Sequence, residues 1–161
     1  MQYDSIIYLK MITIIITSDG YKHFKEPIET YLKRIDKNIV FKKLKPISHT
    51  NTEYIRVKET LGLIELLRKS SGTIYICDER GKSYTTTLFS EIIENAKNQS
   101  EHLTFVIGGS YGIDLELLSE IPHKLMRISD LVMPHSLALL VLLEQIYRSH
   151  EIIRGSGYHH E

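Results

Sequence analysis

Apolar residues along the chain follow two rhythms in turn. Residues 11–17 (MITIIIT) are apolar or β-branched without a break, which predicts a strand buried on both faces. Ser18-Asp19-Gly20 is turn chemistry. A helix is predicted from 21 to about 34, with Phe24, Ile28, Tyr31, Leu32 and Ile35 on one stripe. Residues 39–44 form a second predicted strand. Residues 52–69 form a helix with Ile55, Leu61, Ile64 and Leu67 facing inward. Beyond Ser71-Gly72 comes a third strand at 73–77 (TIYIC), then a helix at 85–98. A fourth strand, 103–107 (LTFVI), stops at Gly108-Gly109. A short helix at 114–121, a strand at 125–128 and a long helix at 135–154 complete the series.

Strand and helix alternate throughout, so the predicted fold class is α/β: a mostly parallel sheet with helices on both faces. Ligands of such sheets bind beyond the carboxyl ends of the strands. Those ends fall at Cys77-Asp78, Ile107-Gly108-Gly109 and Ile128-Ser129. With no repeat, linker or low-complexity stretch, residues 11–161 read as one domain, preceded by an arm at 1–10. The last helix is unusual. From Leu137 to Leu143 it is apolar all round, which calls for burial on every side, either inside one subunit or between two.

Composition removes several classes. The single cysteine, Cys77, excludes an intramolecular disulfide framework and fits a reducing, cytoplasmic location. No apolar run approaches the roughly 20 residues of a membrane span. The eight histidines show no metal-ligand spacing, so no metal is expected. Net charge is zero but unevenly spread. Residues 1–69 hold 13 Lys and Arg against 8 Asp and Glu, and the rest of the chain carries the opposite excess. The basic surplus is densest at Lys33, Arg34, Lys37, Lys42, Lys43 and Lys45. Such a run attracts phosphates, or is simply a solvated helix end and strand.

No G-x-G-x-x-G follows the first strand and no G-x-x-x-x-G-K-[ST] occurs, so dinucleotide and P-loop nucleotide binding are disfavoured. Gly108-Gly109-Ser110-Tyr111-Gly112, at a strand's carboxyl end, would let a ligand approach the backbone closely; a plain tight turn is the other explanation. No serine lies in a nucleophile-elbow pattern.

Three blocks, taken in order, carry more than any single motif: CDERGK at 77–82, FVIGGSYGID at 105–114, and MPHSLALLVLLEQIYRSHEIIRGSGYHHE at 133–161. Together they resemble the ribosomal large-subunit pseudouridine methyltransferase H family of the SPOUT class. The likeness extends more weakly over 11–76. It implies an α/β domain with a deep C-terminal trefoil knot, a homodimer, and S-adenosyl-L-methionine as cofactor. Cofactor contacts are then expected at Cys77, Gly108, Gly109, Ile128, Ser129, Asp130, Leu131, Val132 and Met133, largely through backbone groups.

The implied reaction is methylation of N3 of a pseudouridine in ribosomal RNA on the assembled ribosome. Catalytic roles are expected for Tyr158 and His159, as groups that receive or orient the N3 proton, and for Arg148, which would stabilise charge developing on the base. The Lys33–Lys45 run is the expected RNA contact. Three positions depart from the family pattern: Cys77 replaces a common leucine, Leu139 an arginine four residues after His135, and Gly157 a frequent proline. The arginine at 139 would be an RNA or cofactor contact. Its loss motivates the alternative of a ribosome-associated protein that binds RNA and cofactor without transferring a methyl group. A flavodoxin-like regulatory domain is the reading from another class.

Overall fold

The computed structural model describes residues 11–35 and 39–160; the expected arm and Lys37 of the basic run lie outside them. Five strands appear: β1 (Ile12–Thr17), β2 (Ile39–Leu44), β3 (Thr73–Ser83), β4 (Leu103–Ile107) and β5 (Lys124–Arg127). Five helices connect or follow them: α1 (Lys25–Ile35), α2 (Thr52–Leu67), α3 (Thr86–Asn98), α4 (Leu115–Leu118) and α5 (His135–Arg154). All pairings are parallel, in the order β2-β1-β4-β3-β5.

The alternation of side chains across the pleat sorts the sheet into two apolar layers. Ile12, Ile14 and Ile16 of β1 pack with Phe105, Ile107, Phe89, Leu139 and Leu143 under α1, α3 and α5. Ile15, Ile76 and Val106 point the other way, onto Leu63, Ile64 and Leu67 of α2 and Leu118 of α4. All six residues of β1 are buried, as an unbroken β-branched run requires. Thr13 meets its polar obligation through a 2.8 Å hydrogen bond between its hydroxyl and His102 Nε2.

Local chemistry sets the helix ends. Asn51 Oδ1 accepts from the Tyr54 amide at 3.1 Å, and the Thr85 hydroxyl accepts from the Leu88 amide at 3.2 Å. At the end of α5, Gly155 adopts φ +68°. Its N–H reaches the Ile152 carbonyl and that of Ser156 reaches Glu151, the paired bonds of a left-handed helix stop. Gly157 is also left-handed, at φ +73°. The two glycines therefore shape a turn that brings the tail back along α5.

The structure differs from the sequence expectations in four places. The predicted helix at 21–34 begins as a 3₁₀ turn at Lys22–Phe24. On α2, Leu61 is exposed and Leu63 takes its place in the core. The predicted helix at 114–121 is a single turn. Most consequentially, β3 runs six residues past its predicted end at Cys77. Cys77 and Lys82 both pair with Met126, so residues 78–81 form an outward bulge between them. Gly81 makes this possible, because a Cβ there would lie 2.5 Å from the Met126 backbone nitrogen.

Within one protomer α5 is not covered on every side. Leu139, Leu142, Leu143 and Ile146 are buried, while Leu137, Leu140 and Val141 remain half-exposed beside Glu144 and Arg148. Leu139 has no solvent exposure and packs in the apolar layer under α1, α3 and α5. Leu139→Arg would place an unpaired charge in the apolar layer and should lower stability by roughly 3–5 kcal/mol. Urea unfolding measures this, and an unchanged midpoint would show that the side chain has a route to solvent.

Candidate functional site

A cleft of about 710 Å³ opens at the carboxyl ends of β3, β4 and β5. It is lined by the run Ile107 to Ile113 after β4, by Cys77 to Arg80 of the central β3, by the segment after β5 from Ile128 to Pro134 except Asp130, and by His135 and Ala138 of α5. Of the nine positions expected to hold a cofactor, Cys77, Gly108, Gly109, Ile128, Ser129, Leu131, Val132 and Met133 line this cleft. Asp130 does not; its carboxylate turns outward to Arg127 at 3.1 Å and is largely solvated.

Each glycine of the 108–112 run has its own reason. A Cβ at Gly108 would sit 2.7 Å from Ile113 Cγ1, and one at Gly109 would sit 2.4 Å from Glu59 Oε2. Gly112 has φ +76° and donates its N–H to the Gly109 carbonyl at 3.0 Å, closing the turn. Leu131 and Val132 in the segment after β5 are among the most exposed large apolar side chains, at 77% and 90%.

Sequence reasoning missed the polar rim. Lys22, Arg56 and Arg80 all line the cleft, opposed there by Asp78 and Glu79. The bulge in β3 presents Asp78, which receives Arg80 Nε at 2.7 Å, Nη2 at 2.8 Å and the Arg80 amide at 2.9 Å. Those bonds hold the Asp78 carboxyl below its ordinary value. Arg56 comes from α2, across the cleft. Its Nη2 reaches Glu53 at 2.7 Å and Asp114 at 3.6 Å, while its buried Nε has no hydrogen-bond partner. Lys22 has φ +46°, a left-handed conformation that a lysine rarely adopts. The Asp-x-Arg spacing at 78–80 was visible in the sequence, but nothing there indicated that α2 would bring Arg56 opposite.

Cys77 is not a nucleophile in waiting. Burial, with a smaller contribution from Asp78, pushes its thiol up to about 12.

The expected catalytic residues form a second cluster, at the far end of α5. Arg148 Nε and Nη2 donate to Glu144 Oε1 at 3.0 and 2.7 Å, and its Nη1 lies 3.3 Å from His159 Nδ1. The same guanidinium stacks 4.9 Å from the Tyr158 ring centroid. Tyr158 meets Tyr147 edge-on at 5.2 Å, and Tyr147 meets Tyr31 of α1 at 5.8 Å. Burial first, and its hydrogen bond with Tyr158 second, hold the Tyr31 phenol above its ordinary value. The structure thus brings Arg148, Tyr158 and His159 together but not to the cleft. Arg148 lies thirteen residues beyond His135, about 20 Å along the helix. The basic run is split as well: Arg34 packs its guanidinium 5.5 Å from the Tyr31 and Tyr147 rings, and Lys43 stands 4.6 Å over Tyr21. Among the described residues no group of His, Cys, Asp and Glu is arranged to hold a metal, and no helix is long and apolar enough to cross a membrane.

Known proteins resemble this chain in sequence and in fold. The family model described as "Predicted SPOUT methyltransferase" matches residues 9–159. The chain belongs to the SPOUT methyltransferase family. Its curated relatives include proteins named ribosomal RNA large subunit methyltransferase H. The one from Acetivibrio thermocellus is 35% identical over 146 residues, 86% of this chain and 91% of that protein. The one from Thermotoga neapolitana is 30% identical over 141 residues, 88% of this chain and 89% of the other. This SPOUT protein is therefore a member of the methyltransferase H group. Its fold recurs in the crystal structure of a methylase family protein from Neisseria gonorrhoeae, with TM-score 0.52 and 15% identity over 92% of this chain and 86% of that one.

If the Cys77 thiol is held as the structure indicates, iodoacetamide at pH 8 should modify it at least about 10²-fold more slowly in the folded protein than in urea. Equal rates would place the thiol in solvent.

Proposed function

We propose that this protein methylates N3 of a pseudouridine in large-subunit ribosomal RNA, on the assembled ribosome in the cytoplasm, with S-adenosyl-L-methionine as methyl donor. The observation that carries this reading is the backbone-lined cleft of about 710 Å³ at the ends of β3, β4 and β5, in a chain of this family. The residues present fit such a cofactor. The volume lies within the roughly 300–1,000 Å³ of small-molecule sites. Gly108 and Gly109 offer backbone without side chains, and Leu131, Val132 and Met133 offer an apolar wall. The family likeness implies a deep C-terminal trefoil knot, whose backbone would hold the cofactor.

When bound, the cofactor supplies a methyl group already activated as a sulfonium. The protein's part is then to hold that methyl in line with the target nitrogen, which can remove about 7–11 kcal/mol of barrier. The N3 position of pseudouridine carries a proton that must leave. Tyr158 and His159 are the groups suited to receive or orient it, and Arg148, steadied by Glu144, offsets negative charge on the base carbonyls. About 20 Å of helix separates these groups from the cleft of their own chain. The reading therefore requires a homodimer in which one protomer's tail completes its partner's cleft. The half-exposed Leu137, Leu140 and Val141 on the outward face of α5 are the surface suited to that pairing. The alternative, a ribosome-associated protein that binds RNA and cofactor without methyl transfer, still rests on leucine replacing the family's arginine at 139.

The deciding experiment is single-turnover methyl transfer from S-adenosyl-L-methionine to unmethylated ribosomes that carry the pseudouridine. Tyr158→Phe, or truncation before Gly157, should cut the rate by about 10²-fold or more while leaving cofactor affinity unchanged. Undiminished transfer by the truncated enzyme would move the chemistry elsewhere. Sedimentation at micromolar concentration should show a dimer, and Leu140→Glu should dissociate it. A wild-type monomer that still methylates would refute completion in trans.

A further inference from the structure

Arg56 and Arg80 come from different elements, α2 and the β3 bulge, yet both line the same cleft. Two positive charges converging on open space repel one another. Arg80 opposes the charge on Arg56, and the neighbouring carboxylates are what hold both guanidiniums in place. The arrangement is layered. Asp78 beneath Arg80 has only 11% of its side chain exposed and Asp114 beneath Arg56 only 15%, whereas the guanidiniums above them are 56% and 39% exposed. Asp114 is itself fixed, since its Oδ1 accepts from the Glu116 and Leu117 amides, both at 3.1 Å.

Each carboxylate uses part of a guanidinium and leaves part uncommitted. Asp78 takes Nε and Nη2 of Arg80, so Nη1 remains free to donate. Glu53 and Asp114 take Nη2 of Arg56, and its Nε is buried with no acceptor. A buried donor without a partner is costly, so such a group invites a ligand or water as its acceptor. Lys22, in its unusual left-handed conformation, and Arg127, paired with Asp130, add two further positive charges to the same cleft.

We propose that Arg56 and Arg80 form a preset clamp for a substrate oxyanion in the cleft, with the half-buried carboxylates of Asp78 and Asp114 acting as positioning groups. This deepens the methyltransferase reading and rests on it for the identity of the ligand. Planar forks suit carboxylate and phosphate oxygens alike. Two sources carry that chemistry here: the amino-acid carboxylate of the methyl donor, and a backbone phosphate of the RNA.

The first test needs neither variant nor turnover. Sulfate, titrated into wild-type protein at constant ionic strength, should shift the Nε–Hε resonances of Arg56 and Arg80 together, with one shared affinity. Independent or absent shifts would overturn the clamp. The second test compares Arg56→Gln and Arg56→Lys, checked for folding by urea unfolding. If the oxyanion is the donor carboxylate, Arg56→Gln should weaken S-adenosyl-L-methionine by about tenfold or more and leave its decarboxylated analogue unaffected. If it is a phosphate, cofactor affinity should hold while KM for ribosomes rises by about tenfold and the salt slope falls by about one. Arg56→Lys, which keeps charge but loses the fork, should recover only part of either loss. Methylation with unaltered Kd, KM and salt slope in Arg56→Gln would refute the proposal while leaving the enzyme's function intact. A wild type that shows the paired sulfate shifts but never methylates ribosomes would refute the functional reading and leave the clamp standing.

Discussion

Much of this molecule depends on a single backbone approach, that of Gly81 to Met126. β3 leaves its ladder after Cys77, makes a four-residue excursion and rejoins the same residue of β5 at Lys82. Only a residue without a Cβ can pass so close to the neighbouring strand. The excursion carries Asp78, Glu79 and Arg80 onto the cleft wall. The rejoined ladder keeps β5 in register, and β5 delivers the Ile128–Pro134 loop to the same cleft. Residues 78–80 and the Ile128–Pro134 segment thus reach the cleft from two parallel strands held in tight contact.

The element order was readable because each strand is a compact β-branched or apolar run and each long helix has its own apolar stripe. β2 and β4 keep their predicted bounds. The bulge was not readable, because Asp, Glu, Arg and Gly in succession suggest a turn, and only pairing with a strand forty residues away turns them into one. Leu61 misled for a related reason. Apolar residues crowd α2 at 61, 63, 64, 66 and 67, and periodicity alone does not say which of them face the sheet. At the site, the glycines and the strand ends were legible as positions. The facing of Arg56 and Arg80 was not, since it arises from the packing of α2 beside β4's terminal loop.

α5 serves three surfaces at once. Its first turn closes the cleft, its buried side fills the layer beneath α1 and α3, and its last turns carry an aromatic and basic cluster shared with α1. Because the helix is long, at 20 residues, it also keeps that cluster apart from the cleft of its own chain. Separation by a rigid rod is a different device from a flexible tail. It fixes where the distal groups stand relative to the rest of their own chain.

The thiol of Cys77 acquires a further meaning beside a pocket suited to an activated methyl group. Sulfur nucleophiles are the side chains most readily alkylated, and a thiolate on this wall would compete with the intended acceptor for each turnover. With the thiol held at about 12, essentially no thiolate exists at neutral pH. Were such a group bound in the cleft, the neutral thiol would compete poorly for its methyl, and a cysteine could stand on this wall nearly as inertly as a hydrocarbon.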